Sequence, residues 1–427
     1  MMDRGPGACQ RRPASPARDT RALPAGATMR GMVGRGLLAV CRSRAAADLV
    51  EPVPARPAQR LQSLDVFRGL TIAAMLLVNN PGTWSHVYPP LEHAEWNGWT
   101  PTDLVFPFFL FIVGVATALS LGSLADAGAG RAELFRKALV RAAIIFGLGL
   151  LLQGFPHYNL PHLRIPGVLQ RIAIAYLITA VVVLLTGVRG QVLTLLALLL
   201  GYWTLMTLVP VPGVGRGVLE PEKNLSNWLD FHLLGVNHVW QETRTWDPEG
   251  LLSTLGAVAS VLCGVLAGHW IRSRRGTDTK AFGLFYAGGM TLLLGWVWSH
   301  IFPINKSLWT SSYVLLSAGI ACLVLSAIFW VVDIEGYRGW TVPFLVFGTN
   351  AITAYWLSTL CGIVLDWITL AGPVEGEQVV LKTYLYETFY ASWLAPADAS
   401  LAYAVSYVVL WLGLLSFLYR RRIFIRI

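Results

Sequence analysis

Charge is scarce in this 427-residue sequence: Asp, Glu, Lys and Arg make up 13% of it, against roughly 25% in a soluble domain. That shortage excludes an ordinary solvated surface. Cysteine is present but unpatterned. Its five copies show neither metal-ligand spacing nor the spacing of a disulfide framework. Cys9 and Cys41 precede the apolar part, and Cys263, Cys322 and Cys361 fall inside apolar runs, where a free cysteine behaves as a small hydrophobe. The apolar/polar alternation of a membrane barrel is missing. No basic helix with interleaved aromatics offers a surface for nucleic acid, and no internal repeat marks a transporter built from duplicated halves.

What the sequence does hold is apolar length. Hydrophobic residues form 55% of it, with 17 Trp, and runs of about 20 apolar residues, enough to cross a bilayer as helices, recur from Val66 onward. The expected fold class is all-α, a polytopic helical membrane bundle of about ten transmembrane helices. The runs lie near 66–84, 102–123, 137–155, 165–187, 191–210, 250–271, 281–299, 311–332, 342–365 and 399–419. Residues 1–58 are rich in Arg, Ala, Pro and Gly and show no sustained period. They read as a disordered basic tail, or as a stretch ahead of a later start at Met29 or Met32. Residues 59–427 carry the membrane domain.

The net charge of +9 reflects orientation. Roughly a third of the Lys and Arg precede Asp65. Most others sit in short connections (Arg131, Arg136, Lys137, Arg189, Arg272, Arg274, Arg275, Lys280, Arg338) or in the closing "RRRIFIRI". The longer connections 84–101, 211–249 and 366–398 hold few cations. The short basic set is therefore expected in the cytoplasm, both termini with it, and the long loops outside. His86, His93, His157, His162, His238 and His300 then fall on or near the outer ends. Gly147, Gly149 and Gly154 in the third run predict close helix contact.

Ionisable groups at the mouth of a span are costly and mark candidate sites. In "LEHAEWNGWTPTDLVFPFFLF" (91–111), His93 lies just outside an apolar run, flanked by Trp96 and Asn97, and Asp103 opens the run. Asp suits an N-cap, a role compatible with orienting a nearby imidazole. No second histidine stands three or four residues from His93, so neither zinc nor another metal is expected. "SLDVFRGL" sets Asp65 and Arg68 on one helix face as an ion pair, and Asn79 and Asn80 close the same run. "RIPGVLQRIAIAY" carries Arg164, Gln170 and Arg171, with Arg171 about 10 Å farther along the helix than Arg164. A buried arginine there needs an anionic partner, either a protein carboxylate or a substrate phosphate. The loop 211–249 offers Asp230, His238, Trp240, Trp246, Asp247 and Glu249, with carboxylates for sugar hydroxyls and indoles for ring faces, although Trp is also common at membrane interfaces. "INKSLWTSSY" adds Asn305, Lys306 and Trp309 at another outer mouth.

Taken in order, "RLQSLDVFRGL", "HAEWNGWTPTDLVFPFFLFIVG", "RIPGVLQRIAIAY", "LVPVPG", "WDPEGLLSTLGA" and "INKSLWTSSYVLLS" resemble the heparan-α-glucosaminide N-acetyltransferase family, from about Arg60 to Ile427. The resemblance implies a membrane enzyme that takes acetyl from cytosolic acetyl-CoA and delivers it to a glucosamine amine on the far side. Its His-Ala-x-Trp-Asn-Gly segment places the catalytic histidine at His93. Bacterial relatives point to the inner membrane and to N-acetylglucosamine use, and they keep an amino-sugar transporter as the alternative reading. The large lumenal N-terminal domain of the animal members has no counterpart in this sequence, which leaves the acceptor open. On the enzyme reading, the acetyl-CoA arm occupies a central channel. His93 is a general base or accepts acetyl itself, Asn79 donates to the thioester oxygen, and Asp103 orients the imidazole. CoA phosphates fall to Arg171 or Lys306, or instead to Arg136, Arg141 and Arg274 at the inner end. Trp96, Asn97, His238, Asp247, Glu249, Asn305 and Trp309 are the remaining substrate candidates. Membrane lipid is an expected partner, nucleic acid is not, and a homodimer stays open.

Overall fold

The computed structural model describes residues 61–371 and 378–425. The expectation for 1–58 lies outside the described residues. Those described fall in one compact unit, Arg60–Ile427.

All ten predicted runs are helical: α1 (Gln62–Asn79), α2 (Pro101–Asp126), α3 (Arg131–Gly154), α4 (Val168–Leu185), α5 (Val188–Leu208), α7 (Thr254–Arg272), α8 (Thr277–Trp298), α9 (Ser311–Ile334), the pair α10 (Val342–Thr349) and α11 (Ala351–Trp367), and α13 (Pro396–Arg420). A short α6 (Leu225–Leu234) lies in the long loop, and a two-stranded hairpin (Thr369–Ala371 with Gln378–Val380) precedes α12 (Leu381–Tyr386). Among the described residues, seven helices are long and apolar enough to cross a membrane, or eight when the bent pair counts as one. The two remaining expected spans carry charge: α1 holds Asp65 and Arg68, and α3 opens with Arg131, Glu133, Arg136, Lys137 and Arg141.

Successive long helices alternate in direction. At the basic end, Ser63 N donates to Asp333 (3.1 Å) and Arg272 pairs with Asp126 (2.7 Å). At the loop end, Gly98 N donates to Ile304 O (2.8 Å) and Gly82 N to Ser400 O (3.2 Å). Burial ranks the helices: α2 and α7 are 72% buried over their apolar windows, α8 only 22%. The first two form the centre and α8 the lipid-facing wall.

Glycine sets how closely the central pair packs. A Cβ on Gly114 would lie 1.9 Å from Val261 O, and one on Gly264 would lie 2.0 Å from Phe111 O. Two backbones in contact leave no room for any side chain. The predicted glycine contact in α3 is only partly met. Gly149 abuts Gln170 of α4, Gly154 abuts Tyr158 of its own connection, and Gly147 faces open space.

The run 342–365 is not one helix, because α10 and α11 meet at an 82° bend. Asn350 leaves helical geometry there (φ −125°, ψ 41°). Its side chain donates to Ile423 O (3.1 Å) and accepts from Ile425 N (2.9 Å), which stitches the break to the C-terminal segment. Gly348, just before the break, lies so close to α1 that a Cβ would sit 2.1 Å from Asp65 O.

Candidate active site

The segment between α1 and α2 is irregular and ends in a capping box at the start of α2. Thr100 is the N-cap and Asp103 the third helical residue, so Asp103 is not itself the cap. Its carboxylate reaches back to the chain before the helix, as capping-box acids do. Oδ2 accepts from Thr100 N (3.0 Å), Thr100 Oγ1 (3.2 Å) and Ala94 N (3.1 Å). The Ala94 bond fixes the residue next to His93.

Oδ1 of the same carboxylate lies 2.7 Å from His93 Nδ1 and 3.3 Å from Lys306 Nζ. The Asp103 side chain is 1% exposed and that of His93 46%. An ionised carboxylate only accepts, so Nδ1 carries the proton and Nε2 presents a lone pair. Tyr313 braces the arrangement by donating its hydroxyl to the Asp103 carbonyl oxygen (2.5 Å).

Lys306 arrives from a different loop that is held rigidly. Asn305 Oδ1 accepts from Leu308 N (2.8 Å), Asn305 N donates to Thr310 Oγ1 (3.1 Å), and Asn305 Nδ2 donates to Asn97 Oδ1 (3.2 Å). Trp309 takes a φ of +51°, a strained region for a bulky residue. Its buried indole is locked by donation to Ser260 Oγ (3.0 Å). The Lys306 ammonium lies 2.9 Å from His93 Nδ1 and 3.2 Å from Nε2. Such near-equal distances put it against the ring, not along one lone pair. Burial lowers the Lys306 pKa from its ordinary value, and the Asp103 charge opposes that fall.

A second cluster sits beside the first. Arg164 Nε and Nη2 donate to the two Asp247 oxygens (2.8 and 2.7 Å), and Nη2 also reaches Glu249 (2.6 Å). Burial pulls the Arg164 pKa down, but the two carboxylates outweigh it and hold the guanidinium above its usual value. Asp247 and Glu249 are thus committed to Arg164. His238 is committed too, its Nδ1 2.7 Å from Leu163 O. Trp96 meets Trp246 edge-on at 5.2 Å and donates to Leu219 O (2.9 Å), tying the His93 segment to the long loop.

Arg171 is fully buried. Its partners are neither carboxylate nor phosphate: Nη2 donates to Gly250 O (3.1 Å) and to Ser253 Oγ, and the guanidinium lies 5.0 Å from the Trp309 ring centre. Nε and Nη1 have no partner among the described residues. Asp230 in α6 accepts from Leu251 N (2.8 Å), and burial raises its pKa to about 7. Asn79 is exposed at the end of α1 and its side chain makes no hydrogen bond among the described residues, whereas Asn80 Nδ2 donates to Leu76 O (2.8 Å). The structure therefore joins His93, Asp103, Asn97, Asn305 and Lys306, and leaves Asn79 apart.

A cavity of about 540 Å³ opens at the basic end, lined by Asp65, Arg68, Arg141, Tyr176, Ile352 and Ile425 among others. Along α2 it extends from Ser120 to Phe109, about 16 Å at 1.5 Å per residue. Asp103 lies six residues beyond Phe109, about 9 Å farther along the axis.

Fold and site together define a multi-pass helical membrane protein with a carboxylate-held histidine at one end and a cavity at the other. A family model described as heparan-alpha-glucosaminide N-acetyltransferase, catalytic, matches residues 60–294, and the chain belongs to that family. The match contains His93, Asp103 and Arg171 and ends before Lys306. Heparan-alpha-glucosaminide N-acetyltransferase of Mus musculus is 31% identical over 70% of this chain and 53% of its own length. The Homo sapiens protein of that name is 32% identical over 69% and 52%. The chain spans about half the length of these curated relatives.

Proposed function

We propose that the protein transfers acetyl from acetyl-CoA to the amine of a glucosamine-type sugar, the acceptor meeting the donor at the loop end of the bundle. The observation that carries this reading is the His93–Asp103 pair. A buried acceptor holds Nδ1–H on a half-exposed side chain, which leaves the Nε2 lone pair, with Lys306 Nζ 3.2 Å away, to act as a general base. The relatives' names supply the amino-sugar acceptor and the acetyltransferase class.

In the direct route the sugar nitrogen attacks the thioester carbon while Nε2 removes its proton. The imidazolium formed is stabilised by Asp103 and returns the proton to the departing CoA thiolate. In the alternative route Nε2 first accepts acetyl and the amine then takes it. The cavity receives the pantetheine arm from the basic end, and Arg141 is better placed for CoA phosphate than Arg171, which the bundle covers. Asn97, Asn305 and the Trp96–Trp246 edge line the acceptor side. Asn79 is retained as a donor to the thioester oxygen, with no contact to support it. The basic end faces the cytoplasm of a bacterial inner membrane, and the long loops face outward.

Equilibrating the purified protein with labelled acetyl-CoA, with and without glucosamine, tests the reading. Labelled N-acetylglucosamine is expected only when both substrates are present, and label on His93 without acceptor selects the two-step route. Uptake of amino sugar into sealed vesicles with no acetylated product overturns the enzyme reading in favour of a carrier.

A further inference from the structure

We infer that Lys306 is a catalytic residue of this transfer, the electrophile that holds the oxygen of the acetyl group as it becomes negative. The inference rests on the acetyltransfer reading above and adds to it a group that neither the base nor its orienter supplies.

The argument begins with the commitments of the three side chains. Asp103 spends Oδ2 on Ala94 N, Thr100 N and Thr100 Oγ1, and Oδ1 on His93 Nδ1 at 2.7 Å. Lys306 Nζ is 3.3 Å from that same Oδ1, a longer and weaker contact. An ammonium has three N–H donors and no lone pair. Once one donor points at Asp103, the proton on Nδ1 removes that nitrogen as a target, the Nε2 lone pair at 3.2 Å can take a second donor, and the third is left over for a ligand. Nζ nevertheless lies 2.9–3.2 Å from both ring nitrogens. A carbonyl carbon brought beside Nε2 can therefore turn its oxygen toward Nζ, which is close enough to donate to it.

Charge counting points the same way. At rest the cluster holds one ammonium, one carboxylate and a neutral imidazole. When the amine adds to the thioester, the nitrogen–carbon bond forms and the carbonyl π pair moves onto oxygen. His93 Nε2 takes the amine proton. One positive and one negative charge appear, and each has a partner already in place: Asp103 for the imidazolium, Lys306 for the oxyanion. Collapse of the oxyanion restores the carbonyl and breaks the carbon–sulfur bond. The CoA thiolate then takes the proton from His93. Donors fixed in advance stabilise such charge without reorganisation, and Lys306 is fixed by the Asn305 and Trp309 anchors. Burial lowers its pKa from the ordinary value while Asp103 and Glu249 oppose that fall, and a developing oxyanion would add a further favourable charge beside it.

The test uses the full chain in detergent with acetyl-CoA and glucosamine, and reads kcat and each KM for Lys306→Met, Lys306→Cys and His93→Ala. Lys306→Met should lower kcat about 10²–10³-fold, the usual loss of one oxyanion donor, with the KM for acetyl-CoA within about threefold. Treating Lys306→Cys with 2-bromoethylamine rebuilds a side chain of lysine length ending in an ammonium. It should restore kcat at least tenfold, which a purely structural lysine would not show after folding has finished. Treated wild-type protein controls for the other cysteines. Three results overturn the inference: a Lys306→Met kcat within threefold of wild type, a loss confined to the KM for acetyl-CoA, or aminoethylation that restores nothing. If His93→Ala remains inactive in those cases, the base reading stands and only the lysine role falls. Full transfer by His93→Ala removes the base reading itself.

Discussion

The charged cluster at the loop end and Arg141 at the basic end are held in opposite ways, although the basic end also has ion pairs of its own, Arg272 with Asp126 and Arg68 with Asp65. At the loop end, His93, Asp103, Lys306, Arg164, Asp247 and Glu249 are all held by one another at 3.3 Å or less. At the basic end, Arg141 lines a cavity and lies over the Tyr176 ring at 5.2 Å. Groups locked by their neighbours are pre-organised to act on a bond. A cation held only by an aromatic face keeps its donors for a ligand. On the reading proposed above, the cluster is placed to react and Arg141 to receive the donor.

Four experiments break or sharpen this contrast. The largest effect is expected from His93→Ala, which should lower acetyl transfer about 10²–10⁴-fold while CoA binding and the folded peak on size exclusion persist. Near-normal turnover by folded variant protein would erase the distinction between the ends. Next, Arg164→Leu strands two carboxylates in a largely buried site, and breaking such a pair costs about 3 kcal/mol. Denaturant titration in detergent should show that loss, together with a smaller loss when Asp247→Asn is added.

Third is a pH effect at Asp230. Burial raises its carboxyl to about 7 from an ordinary value near 4. A raised carboxyl contributes stability that is complete below the ordinary value and is lost as pH rises through the folded one. Stability should therefore fall between about pH 4 and 7, at no more than about 1.4 kcal/mol per pH unit. Asp230→Asn should flatten that slope in thermal melts taken across the range. The smallest effect is expected at the basic end: Arg141→Ala should weaken CoA binding about tenfold, the loss of one charge-assisted bond, with kcat at saturation retained. Unchanged affinity, measured by equilibrium dialysis, would move the nucleotide away from this cavity.

Helix existence was plain in the sequence because a bilayer demands long apolar runs, and each of the ten proved helical. The break at Asn350 was not, since an apolar run reads the same whether straight or bent. The His93–Asp103 pairing was legible from ten residues of separation and a helix start. Thr100, three residues before Asp103, was the available capping-box signal, and it also explains why the carboxylate turns back toward His93. Lys306 was visible as a cation at an outer mouth, yet its partners are 213 and 203 positions away in sequence, a distance that no local pattern spans. That Asp247 and Glu249 both pair with Arg164 was not legible, because their spacing does not show a partner 83 and 85 positions away.

The bend between α10 and α11 has a practical corollary. Asn350 ties the break to Ile423 and Ile425, and Ile425 forms part of the cavity wall. A purification handle added after Ile427 would begin three positions beyond Ile425 and so beside the cavity wall. On the acetyltransfer reading, an uncleaved handle there should act as a plug, weakening donor binding and lowering turnover while His93, Asp103 and Lys306 stay intact.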